Sequence, residues 1–214
     1  MSEAASGEQP ATSPEPKVVY VHMLCLDPDA IGDYPLPPGY RLRPYVEDEL
    51  HSDRHLWVHL QQRSERYFPI TMEEFGRYYN EATELLPGRM LFLETEAGEP
   101  IGTATAWWKE PWGERGDWGQ LHWVCIVPEY RGRGLVKPLV SHVLRLILRE
   151  RAERGAPLRI MLGTHTVRLP AVKAYLDLGF RPDAVELENP EVVAAWQLCA
   201  EALGDERIKE SVSA

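Results

Sequence analysis

Cysteine is scarce in this chain of 214 residues, and basic side chains are outnumbered by acidic ones. Cys25, Cys125 and Cys199 are odd in number and widely separated. Such spacing suggests neither a disulfide framework nor a thiolate zinc site, and a reducing, cytoplasmic location is expected. The net charge of -10 withholds the basic face that a nucleic-acid binder uses. Apolar runs of membrane-spanning length are missing, and the N-terminus lacks the basic and apolar regions of a signal peptide, so no membrane partner is expected. Residues 1–16 carry Ser, Pro, Glu and Ala without an apolar period, the pattern of a disordered tail.

The whole chain is 44% hydrophobic, enough for one compact α/β domain with appendages. Its most informative stretch is Leu121 to Lys137, LHWVCIVPEYRGRGLVK. The β-prone run Leu121 to Val127 is stopped by Pro128, a loop follows with Arg131, Gly132, Arg133 and Gly134, and a helical pattern begins at Leu135. Strand, glycine loop and helix start in that order form an anion cradle. Glycines allow backbone N–H groups to converge, and the first helical turn adds unpaired donors and the positive end of its dipole. A ligand carrying phosphates is implied.

A P-loop would need G-x-x-x-x-G-K-[ST], which is absent, and a dinucleotide fingerprint would need a third glycine where Leu135, Val136 and Lys137 stand. The run VPEYRGRGL instead resembles the coenzyme A signature of the GNAT superfamily of N-acetyltransferases, Gln/Arg-x-x-Gly-x-Gly/Ala. Arg131, Gly134 and Val136 fall on its fixed positions, with Val136 larger than the usual final residue. A second stretch, PAVKAYLDLGFRP from Pro170, resembles the family's other hallmark, a helix with Asn-x-x-Ala-x-x-Leu-Tyr ending in Gly-Phe. Ala171, Tyr175, Gly179 and Phe180 match in register; Arg168 replaces the Asn and Ala174 the Leu.

The resemblance implies a mixed, mostly antiparallel sheet flanked by helices, an α/β (α+β) domain over residues 40–188. An extra N-terminal strand and loop would occupy 17–39, and a C-terminal helix and tail 189–214. Along the chain we expect strands at Lys17 to Leu26, Tyr40 to Tyr45, Met90 to Thr95, Ile101 to Trp108, Leu158 to Gly163 and Phe180 to Leu187. Helices are expected at Asp48 to Arg63, Met72 to Leu85 (with a Thr71–Glu74 capping box), Leu135 to Arg154, Leu169 to Leu178 and Pro190 to Leu203. The family normally closes with a strand where that last helix stands, so the N-terminal strand is expected to take part of the vacant edge.

The resemblance further implies acetyl-CoA as co-substrate and an amine, small molecule or peptide, as acceptor; the acidic charge suits such an acceptor. Backbone groups of Val124 and Ile126 would pair with the pantetheine arm, and residues 131–136, including Leu135 and Val136, would hold the pyrophosphate. Tyr175 stands where the family often places the acid that protonates the departing thiolate; a tyrosine packed between helix and sheet is the alternative. Gln120 occupies the position of a family base and cannot take a proton. His122, two residues on and on the same strand face, is the candidate base, or else a core histidine. Glu94 is a weaker candidate.

Three features stay open. His51, His55 and His59 make a helical stripe without the glutamate of a zinc helix, and no metal is expected. Trp107, Trp108, Trp112, Trp118 and Trp123 crowd into two strands and their loop, as a substrate wall, a homodimer contact or core. Arg63 to Phe68 joins the first two helices, where the family lines its acceptor site. The reading is a GNAT-type N-acetyltransferase working by direct transfer in a ternary complex. Its rival is a catalytically silent coenzyme A-binding module.

Overall fold

The computed structural model describes residues 18–109 and 112–213; the expected tail, residues 1–16, lies outside them. Seven strands form one sheet: β1 (Tyr20–Cys25), β2 (Tyr40–Pro44), β3 (Met90–Thr95), β4 (Pro100–Lys109), β5 (Trp118–Ile126), β6 (Ile160–His165) and β7 (Arg181–Pro182). Their order is β2-β3-β4-β5-β6-β1-β7. Every neighbouring pair is antiparallel except β5 with β6. Six helices accompany it: α1 (Arg54–Ser64), α2 (Met72–Tyr79), α3 (Val136–Glu153), α4 (Leu169–Asp177), α5 (Pro190–Leu203) and α6 (Glu206–Ser213).

Alternation explains the strands. In β1, Val21, Met23 and Cys25 are buried while His22 and Leu24 are half-buried. The expected extra strand therefore does more than cover an edge: it lies between β6 and β7 and pairs with both. In α3, Leu139, Val140, Val143, Leu144 and Ile147 recur at helical spacing and are buried against β4 and β5.

The largest shortfalls from the expected bounds are in three elements. The first helix starts at Arg54 because the Asp48 carboxylate accepts from the N–H groups of Leu50 and His51, at 2.8 and 2.9 Å, holding a turn that competes with helix. The second ends at Tyr79, although Thr71 does cap it through the Glu74 N–H. Beyond it the chain tightens into a 3-10 turn, Thr83–Gly88, where Pro87 cannot donate to an α ladder. The last strand stops at Pro182, which has no N–H for the ladder, and a 3-10 turn, Glu186–Glu188, follows.

Candidate active site

β5 and β6 pair only through Gly119 with Ile160 and Gln120 with Met161. Past that point the pairing of β5 with β4 slips between Thr103 and Thr105, and Trp123 takes φ +48°. A bulky residue in that region is strained, and a bulge bends its strand. β5 thus parts from β6 and leaves an opening beside Val124 and Ile126. The Val127 N–H donates to Ile101 O of β4 at 2.9 Å. By alternation the backbone groups of Val124 and Ile126 point the other way, into the opening. Arg131 Nε donates to Ile126 O at 2.9 Å, so that carbonyl already has a partner.

The cradle follows directly. Gly132 and Gly134 both take φ +74°, and a Cβ on either would meet nothing within 4 Å. Leu135 precedes α3 without a side-chain cap, so the first-turn N–H groups of Val136 and Lys137 stand at the loop. Pro138 offers no donor. The two arginines brace the loop: Arg131 also donates to Ser64 O at 2.9 Å, and Arg133 donates to Glu129 O at 3.0 Å while lying over the Tyr130 ring.

Tyr175 lies on α4, which Gly179 ends at φ +89°. The residue is 7% exposed, packs edge-on against Phe180, and its hydroxyl makes no hydrogen bond among the described residues. Burial pushes the phenol up to about 12, against the nearby Arg168 guanidinium. Burial likewise pushes the Cys125 thiol of β5 up to about 11. Arg168, in place of the motif's Asn, donates to Glu65 Oε2 at 2.5 Å and so ties the start of α4 to the end of α1.

Gln120 and His122 share the sheet face of Met161, Gly163 and His165 on β6 and of Leu24, His22 and Tyr20 on β1. Above it stand Tyr78 against His122 and Phe68 against His165, with ring centroids 5.0 and 5.1 Å apart. His122 Nδ1 is 3.4 Å from Tyr79 Oη, and Tyr79 is fully buried, its phenol raised by desolvation. Opposite, His22 lies 4.7 Å from the Trp112 ring and 2.5 Å from Glu186. The sequence reading did not single out His22 or Glu186. Their only signal there was a histidine on the half-buried face of an alternating strand.

Several expectations are corrected. Glu94 is 3% exposed and held by both Arg41 and Arg43, which excludes it as a base. His51 precedes α1 and bonds Asp53, so the histidine stripe is broken, and no group of three metal-binding side chains occurs among the described residues. The tryptophans divide. Trp107 and Trp118 are buried, Trp123 packs on Trp57 at 5.2 Å, and Trp112 faces His22.

The model of the acetyltransferase (GNAT) family matches residues 50–180. The chain belongs to this family. Among solved structures, a GCN5-related N-acetyltransferase from Sphaerobacter thermophilus is 21% identical with a TM-score of 0.58, over 79% of this chain and 50% of that one. A tandem GNAT protein of the clavulanic acid pathway gives 19% and 0.53, over 78% and 51%. A GNAT acetyltransferase from Colwellia psychrerythraea gives 13% and 0.53, over 78% and 53%. At these identities the likeness is one of fold, and the chain spans about half the length of these structures. No protein of curated function matches it in sequence. This GNAT domain has no helix long and apolar enough to cross a membrane among its described residues.

Proposed function

We propose that the protein is an acetyl-CoA-dependent N-acetyltransferase that moves an acetyl group directly to a primary amine. The observation that carries this is the joint geometry of β5 and the loop after it. An opened parallel pair accepts an extended arm, and at its end two left-handed glycines and an uncapped helix start accept phosphates. The open space at Gly132 and Gly134 fits the group, because a phosphate can approach the backbone there.

Acetyl-CoA supplies the activated acyl carbon as a thioester. The N–H groups of Val124 and Ile126 hold the arm and, facing the opening, are placed to stabilise an oxyanion. Tyr175 keeps its proton at every physiological pH and offers it where the thiolate departs. The acceptor is a small molecule or peptide amine reaching the face of His122, Gly163 and His22. Burial keeps the thiol of Cys125 on β5 protonated, so it is not a poised nucleophile. That favours a ternary complex over an acyl-enzyme.

The experiment is thiol release from acetyl-CoA with a panel of amines, beside calorimetry of coenzyme A binding. Turnover on at least one amine is expected. A silent coenzyme A-binding module is the second reading, favoured by Gln120 at the base position and by the weakened acidity of Tyr175. Binding without turnover on any amine would establish it, and no binding at all would overturn both.

A further inference from the structure

The sheet brings a second histidine to the same face as His122, from the opposite end of the sequence. His22 on β1 is in register with Gly163 of β6, and Gly163 lies two residues beyond the Met161 that pairs with Gln120. Gly163 thus lies between His22 on β1 and the opening, and His122, two residues beyond Gln120, belongs to the same sheet face.

The two rings differ in their partners. Glu186 accepts twice from His22: its Oε2 from the backbone N–H at 2.8 Å and its Oε1 from the ring Nδ1 at 2.5 Å. Burial works against the Glu186 charge, but these bonds outweigh it and hold the carboxyl below its ordinary value. An ionised carboxylate only accepts, so Nδ1 is the donor. The neutral ring must therefore carry its lone pair on Nε2, for which no hydrogen bond exists among the described residues. Trp112 and Tyr20 fix the ring plane from two sides, at 4.7 and 5.1 Å. Glu186 also lines a cavity of about 460 Å³, together with Tyr20, Val185, Glu188, Asn189 and Val192.

We propose that His22, oriented by Glu186, is the base that takes the proton of the acceptor ammonium, so that β1 belongs to the catalytic machinery. The inference rests on the acetyltransferase reading above. The ammonium gives one proton to His22 Nε2, and Glu186 keeps Nδ1–H and stabilises the imidazolium. The freed nitrogen lone pair forms the C–N bond as the C–S bond breaks. Sulfur takes the proton of Tyr175, the nitrogen's second proton restores that phenol, and His22 returns the first proton to water. Glu186 is a positioning residue.

Groups facing His22 from each neighbouring element enter its titration. They are Tyr20 on its own strand, Glu186 and Asp183 after β7, and Arg115 between β4 and β5, paired with Asp183 and acting on Glu186. Tyr78 and His165 lie beyond Tyr20.

The test is the pH profile of kcat/KM with two amines of different basicity, in the wild type and in His22→Gln, His122→Gln and Glu186→Gln. A limb due to the amine moves between acceptors, and one due to His22 does not. His22→Gln should abolish the fixed limb and slow turnover about 10²-fold, with the affinity for coenzyme A unchanged. His122→Gln should keep the limb. Glu186→Gln, which still accepts from Nδ1, should move it about one pH unit or more downward, because the imidazolium loses its counter-charge. Nitrogen-detected NMR of the free protein should show the neutral His22 ring protonated at Nδ1. A limb that survives His22→Gln, or a ring protonated at Nε2, overturns the proposal. A wild type that turns over no amine overturns the acetyltransferase reading with it.

Discussion

The phenol of Tyr20 occupies the space that a side chain at position 163 would need, since a Cβ built on Gly163 would overlap Tyr20 Oη and Cζ. Glycine on β6 thus lets a residue of β1 lean over β6 toward the opening. Gly163→Ala should push the phenol outward and raise the acceptor KM, with little change in coenzyme A affinity. Tyr20→Ala should remove most of that effect. A double-mutant cycle on acceptor KM checks the coupling, and additive effects would show that the overlap is relieved elsewhere.

At the cradle, Gly134 takes φ +74° with open space at its Cβ. Gly134→Asp and Gly134→Asn carry a similar backbone cost, because both residues tolerate the left-handed region. Only the aspartate brings charge to the phosphates. Calorimetry should therefore show coenzyme A affinity at least tenfold weaker in the Asp variant than in the Asn variant, about 1.4 kcal/mol. Equal affinities would remove the phosphates from this loop.

Tyr175→Phe keeps the ring against Phe180 and removes only the hydroxyl. Turnover should fall about 10²-fold, while coenzyme A affinity and Tm stay near wild type, since that hydroxyl makes no hydrogen bond among the described residues. With the phenol pushed up to about 12, no loss of activity below pH ~11 should trace to its ionisation. Wild-type turnover in the variant would leave Tyr175 a packing residue.

Asp177 ties three helices together, with Lys137 of α3 and Lys173 of α4 at 2.6 Å and Arg207 of α6 at 2.9 Å. Burial opposes its charge, but the hydrogen bonds from these three cations prevail and hold the carboxyl well below the usual range. A lowered folded value means stability that is complete above the unfolded pKa of about 4 and is lost as pH falls through the folded one. Asp177→Asn should cost about 1–3 kcal/mol at pH 7. That deficit should shrink in acid, and Tm of the two proteins against pH checks it. A deficit independent of pH would contradict the charge argument.

The parts of the site made by neighbours in sequence were legible there. The β-prone run, its stop at Pro128, the paired glycines and the helix that follows are local features, and the structure keeps them as β5, the cradle and α3. Helix ends were less legible, because Asp48 and Pro87 favour competing turns that an apolar period does not register. The bulge at Trp123 left no sign at all, since nothing in a bulky residue's identity announces φ +48°.

By itself, then, the order of residues determined the central runs of the elements, the paired-glycine loop between β5 and α3 and the tyrosine on α4, all set by steric and hydrogen-bonding rules acting over a few positions. The tertiary structure alone decided that β1 would insert between β6 and β7 and that β5 would part from β6. It also decided that Glu186 would find His22, from which it stands 164 residues away. Strand pairing joins segments without regard to their separation along the chain, and a short pattern carries no record of the partner.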